Sequence, residues 1–174
     1  AMTAMAMDKL KEGVTTLLPT TLTLGEDTLK TALTTAANYV KSGKKGCKIP
    51  GVHLEGPYIN PKCLGAQNPA FVRKPDIEEV KRLNSIFPVK KVSFAIEMEG
   101  APEFTAELLA EGITPSCVHS AATFKQFMEG YNHGLRNLSH FCNQMTPLHH
   151  RDIGLVGAGL ACDDVYIEFI CDTL

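Results

Sequence analysis

The sequence predicts an α/β fold built on a parallel sheet, and three observations carry this: strand-like and helix-like stretches alternate, the strands are short and largely apolar, and helices separate them. Strands covered on both faces read as near-continuous apolar runs, unlike the alternation of a sheet with one wet face. Residues 1–13 (AMTAMAMDKLKEG) read as the tail of a helix stopped by Gly13. Residues 14–19 (VTTLLP) are β-branched and apolar and predict the first strand. Gly25 and Glu26 lead into a helix over 27–41, and 49–55 (IPGVHLE) predicts the second strand. A long loop containing Gly, Pro and Asn follows over 56–75. Asp76 opens a helix to about Ile86, with Glu79 three residues on as in a capping box. Residues 92–97 predict the third strand, Pro102 a helix start and Gly112 its stop. The fourth strand is 113–119. Thr123, followed by Gln126, caps a helix ending near Gly130 or Gly134. Residues 138–142 predict the fifth strand and 165–171 (VYIEFIC) the sixth. Between these two strands, Gly154, Gly157 and Gly159 form a G-x-x-G-x-G run with no strand immediately before it, which predicts a flexible or close-packed loop.

The chain has 174 residues, whereas an eight-fold α/β barrel takes about 250, so only five or six βα units fit. A doubly wound open sheet also suits this length, and periodicity does not separate the two. Hydrophobic residues make up 44% and charged ones 21%, enough for one well-filled core, so residues 1–174 are expected to form a single domain. The net charge of -2, without a basic patch, argues against a nucleic-acid partner. No apolar run approaches the roughly 20 residues of a membrane span, and the N-terminal residues lack a signal-peptide pattern. The six cysteines never fall in a C-x-x-C pair, so reduced structural thiols in a cytoplasmic protein are expected.

Parallel α/β folds collect functional groups at the carboxyl ends of their strands. Three predicted strands end on or beside a metal-type ligand: Glu55 in His53-Leu54-Glu55-Gly56-Pro57, His119 in Cys117-Val118-His119-Ser120, and His140 in Leu138-Ser139-His140-Phe141. A divalent metal such as zinc accepts two imidazoles and one carboxylate. Each residue alone reads equally as a hydrogen-bonded structural group, and the recurrence at three strand ends is what points to a metal. His53 shares a strand face with Glu55 and reads as a packed interior histidine. His149 and His150 fall in a loop, where adjacent side chains diverge. Arg151 beside them has the guanidinium suited to phosphate or carboxylate.

Residues 52–57 (VHLEGP), Tyr58-Ile59-Asn60, Gly65-Ala66 and 68–76 (NPAFVRKPD) resemble the N-acetylglucosamine-6-phosphate deacetylases of the amidohydrolase superfamily. So do 118–123 (VHSAAT), 139–145 (SHFCNQM) and 147–157 (PLHHRDIGLVG), in order and at matching spacing over nearly the whole chain. The resemblance implies a (β/α)8 barrel of the metal-dependent hydrolase type, of which about six units are present. It implies a divalent metal, zinc first with iron, manganese or cobalt as alternatives, held by Glu55, His119 and His140. It further implies substrate contacts from Ala66, Gln67, Asn143, Gln144, Arg151 and Asp172, with Arg151 reaching the sugar phosphate. Gln67 stands where the family usually has His, and Gln144 where it usually has Ala.

The family's early His-x-His strand is expected upstream of residue 1, and its proton-transferring Asp beyond Leu174. No catalytic residue is therefore expected within this chain, and by itself it is expected to be inactive. Intact, such an enzyme removes acetate from the 2-acetamido group of a phosphorylated amino sugar and is expected to be a homodimer. The alternatives are a phosphosugar-binding barrel without catalysis and an amidohydrolase acting on a related acetamido sugar phosphate.

Overall fold

The computed structural model describes residues 2–43 and 45–171. Five parallel strands form one sheet in the order β1-β2-β3-β4-β5: Val52–Glu55, Val89–Phe94, Thr114–Cys117, Asn137–Leu138 and Tyr166–Ile167. Every neighbour in the sheet is the next strand in the chain, with a helix in each crossover. A doubly wound sheet reverses its strand order at a switch point, and this one does not.

The sheet is also rolled. Adjacent strands lie about 4.8 Å apart, so β2 and β4 would sit roughly 10 Å apart in a flat sheet. Yet Ser93 Oγ of β2 lies 2.9 Å from Ser139 Oγ just after β4, and Ser116 of β3 reaches the same hydroxyl at 2.9 Å. Lys91 of β2 pairs directly with Glu168, which follows β5. Serine side chains meet across an intervening strand only on a strongly concave face. Sequential parallel strands on a concave wall are consistent with a partial barrel.

Among the described residues six α-helices accompany the sheet: α1 Met2–Lys11, α2 Glu26–Lys41, α3 Ile77–Asn84, α4 Ala101–Ala110, α5 Phe124–Asn132 and α6 Gly154–Ala161. The outward strand residues Val52, Leu54, Val92, Phe94, Cys117 and Leu138 belong to one buried core with Leu29, Leu33, Val80, Leu83, Phe104 and Phe127 of the helices. Phe94 and Phe104 pack edge to face with centroids 5.1 Å apart, an arrangement favoured by the ring quadrupoles. The inward residues are polar, and Thr20, His53, Lys91, Ser93, Ser116 and Ser139 bond to one another or to Glu168.

Most predicted elements are present, and the differences have physical causes. Residues 14–19 form only one isolated parallel bridge, Thr16 to Lys48, and Thr20 just after them bridges to His53 of β1. Pro19 has no N–H to donate, which limits a ladder there. The capping box of α5 forms between Thr123 and Gln126, and the helix continues through Gly130 to Asn132 before Gly134 at φ 102°. At α3, Asp76 accepts from the N–H groups of Glu78 and Glu79, but the Glu79 carboxylate turns away to Arg73 and Tyr58. The glycine run at 154–159 is a helix, not a loop. Its small residues allow close packing, since a Cβ on Gly159 would lie 2.5 Å from Phe141 and 2.8 Å from Leu138. Tertiary packing overrides poor helix propensity here.

Candidate metal centre

Glu55 ends β1, and His119 and His140 each follow by two residues the last paired residue of β3 and β4. The concave sheet brings the three together at its carboxyl edge. Their donor atoms all lie within 4.8 Å of one another. His119 Nε2 is 3.2 Å from Glu55 Oε1, His140 Nε2 is 3.8 Å from the same oxygen, and the two imidazole Nε2 atoms are 3.3 Å apart.

Protonation shows why this cluster suits a cation. His119 Nδ1 lies 2.7 Å from the carbonyl oxygen of Cys63, and a carbonyl can only accept. Nδ1 therefore carries the proton, which leaves Nε2 with a bare lone pair aimed at the cluster. A carboxylate oxygen and the His119 lone pair then converge, and His140 Nε2 joins them while its buried Nδ1 has no hydrogen-bond partner. One shared proton satisfies one such contact, whereas a divalent cation satisfies all three. The donor set thus fits a zinc-type metal.

Burial pushes the Glu55 carboxyl pKa up, but the His119 and His140 imidazoles outweigh it, and the carboxyl is held well below the usual range. Burial pushes His140 down, yet Glu55 more than offsets this and raises it. His53, two residues before Glu55, behaves differently. Burial, reinforced by the charge of Lys91, lowers it to about 3, and it bonds to Ser93 at 2.6 Å and Thr20 at 3.3 Å. It is a neutral interior histidine.

Two of the three candidate ligands sit in the left-handed backbone region, His119 at φ 45° and His140 at φ 34°. Each such residue costs on the order of 1–3 kcal/mol and persists only where its surroundings enforce it. The His119 carbonyl accepts from Asn60 N, and the Ser120 N–H donates to Gln144 O. The His140 carbonyl accepts from Asn143 N, and Phe141 N donates to Glu168 O. Glu97 adds a clamp, accepting from Asn60 Nδ2 at 2.7 Å, Ser120 Oγ at 2.5 Å and Ala121 N at 2.6 Å. Glu97 went unnoticed in the sequence, although it ends a predicted strand as Glu55 does. The Cys63 carbonyl had no sequence signal, because any residue supplies one.

The remaining predicted residues fall in three groups. Gln67 is buried against the cluster and donates from Nε2 to Glu55 Oε1 at 2.8 Å. Ala66, Asn143 and Gln144 are exposed. A Cβ on Gly65 would lie 3.2 Å from the Gln144 side chain and 3.3 Å from His119, so the loop from β1 and the loop after β4 meet beside His119. Arg151 is exposed in the turn before α6, its N–H donating to His149 Nδ1. Asp172 lies outside the described residues.

The chain is 37% identical over 170 residues to an N-acetylgalactosamine-6-phosphate deacetylase from Escherichia coli O157:H7, covering 97% of this chain and 45% of that one. Its fold superposes with a TM-score of 0.88 on N-acetylglucosamine-6-phosphate deacetylase from Thermotoga maritima, at 40% identity, covering 97% of this chain and 46% of the other. The chain belongs to the amino-sugar-6-phosphate deacetylases. A Mycobacterium smegmatis N-acetylglucosamine-6-phosphate deacetylase variant, solved with N-acetyl-D-glucosamine-6-phosphate, matches at a TM-score of 0.81 and 30% identity, covering 89% of this chain and 40% of its own. The chain spans just under half the length of the deacetylases it matches. No family model matches it. The six cysteines are all free, Cys47 and Cys117 buried and Cys142 and Cys171 exposed. Among the described residues no helix is long and apolar enough to cross a membrane.

Proposed function

We propose that this chain carries the metal-binding wall of a (β/α)8 deacetylase acting on an N-acetylated amino sugar 6-phosphate. The observation that supports it most is the convergence of Glu55 Oε1, His119 Nε2 and His140 Nε2 within 4.8 Å of one another, with the His119 lone pair turned inward. When bound there, a divalent metal, zinc or one of iron, manganese and cobalt, supplies Lewis acidity to the amide carbonyl.

The chain's own residues hold and orient. Glu55 and the two histidines present a compact, partly buried ligand set on rigid strand ends. Ala66, Asn143 and Gln144 rim the cluster from two loops and offer the sugar a polar edge. Arg151 supplies a guanidinium for the phosphate, which fixes the substrate through a group remote from the amide. Asp172 and the proton-transferring Asp complete the reading from outside the described residues. Names of relatives include both the gluco and the galacto sugar, so the proposal covers the acetamido hexose 6-phosphates as a class. A homodimeric, cytoplasmic enzyme without nucleic-acid or membrane partners completes the picture.

The test is acetate release from N-acetylglucosamine-6-phosphate and its galacto epimer, with the coding sequence on both sides of these residues included. Metal-dependent release that disappears in Glu55→Gln and His119→Ala is the expected result. Turnover in those variants equal to the parent would overturn the assignment. Phosphosugar binding without acetate release would favour a non-catalytic barrel.

A further inference from the structure

Gln67 is placed unlike an ordinary loop residue. It lies in a surface loop, flanked by exposed Ala66 and Asn68, yet its own side chain is only 6% exposed. Its amide oxygen accepts from the backbone N–H of Thr23 at 2.7 Å, and its Nε2 donates to Glu55 Oε1 at 2.8 Å. Thr23 N can only donate, so the orientation of the amide is fixed, and an N–H necessarily faces the carboxylate. Thr23 is itself 1% exposed, and it approaches so closely because residue 56 is glycine. A Cβ there would lie 2.2 Å from Thr23 Oγ1. Three separate segments, around Thr23, Glu55 and Gln67, are therefore locked into one small hydrogen-bonded unit.

The consequence falls on Glu55. Its Oε1 faces the bare Nε2 of His119 at 3.2 Å, a lone pair that repels rather than holds it, and His140 Nε2 stands farther off at 3.8 Å. We infer that Gln67 is a positioning residue, whose amide holds the Glu55 carboxylate in the orientation that completes the metal-binding set. The same loop orients a second ligand, since the Cys63 carbonyl fixes the His119 ring. One short segment, 63–67, thereby sets two of the three ligands. Partners that orient metal ligands are typically worth about 10–100-fold in affinity.

This rests on the metal-centre reading, and the experiment keeps the two apart. Zinc affinity is measured on the full chain by competition with a chromophoric chelator, alongside the unfolding temperature of the metal-free protein. Gln67→Leu removes both hydrogen bonds. Gln67→His keeps the pair, because a neutral imidazole accepts on one nitrogen and donates from the other. The expected result is zinc binding weakened about 10–100-fold in Gln67→Leu and restored to within about threefold in Gln67→His. A Gln67→Leu protein that melts earlier but binds zinc like the parent would show a purely structural role and overturn the inference. If the parent chain binds no zinc, the metal-centre reading fails instead. Equal weakening in both variants would also overturn the inference, because the donor–acceptor pair would then not be what matters.

Discussion

The two halves of the sheet are built differently. Strands β1 to β3 run four, six and four residues, and their outward side chains are sealed beneath α2 to α5. Strands β4 and β5 pair over two residues each, and the region around them exposes Leu160, Tyr166, Phe169 and Ile170. The ligand set straddles the two, with Glu55 and His119 on the well-packed wall and His140 on the thin one. Serine hydroxyls bridge them, Ser139 beside His140 bonding to Ser93 and Ser116. The centre therefore draws its rigidity from the first half and depends on a few polar contacts to hold the second in place.

Substitutions should separate the halves in urea unfolding, read as the midpoint at constant slope. The largest loss is expected for Phe94→Ala, which empties a fully buried site beside Phe104, at about 3–5 kcal/mol. Arg73→Ala comes next. It strips the buried Glu79 carboxylate of the guanidinium that reaches both of its oxygens. The cost is put at about 3 kcal/mol, the lower end for a broken buried pair, because Arg73 is 30% exposed. Gly159→Ala should lose roughly 1 kcal/mol, since crowding against Phe141 and Leu138 outweighs the gain in helix propensity. Leu160→Ala, on the exposed face of α6, should change stability by no more than about 0.5 kcal/mol. A loss at Leu160 matching that at Phe94 would mean that the second half is as tightly packed as the first.

What the sequence revealed follows the same division. Elements of the first half were readable because caps, glycine stops and apolar runs agreed with one another, as at Thr123, Gly112 and 92–97. Helix α6 was not, because three glycines in eight residues argue locally for a loop, and only its packing on Phe141 and Leu138 makes it a helix. At the site, Glu55, His119 and His140 stood out because each ends a strand with a ligand-type side chain. The groups that orient them did not. Cys63 acts through its backbone, and Gln67 was read as a substrate contact, because nothing in a linear sequence shows that the loop folds back onto Glu55. Glu97 was within reach of the strand-end rule and was not singled out. The segment 68–76 carried part of the family resemblance, and Arg73 within it is a scaffold clamp, also donating to the carbonyls of Leu24 and Phe71.

The most direct measurement is the metal content and coordination of the purified chain after zinc loading and dialysis. The account predicts one zinc ion per chain, with an X-ray absorption edge showing nitrogen and oxygen ligands without sulfur, and loss of that ion in His140→Ala as in Glu55→Gln. A chain that holds no zinc above the level of those variants, or one that holds it through cysteine sulfur, would contradict the assignment of the three converging residues as a metal centre.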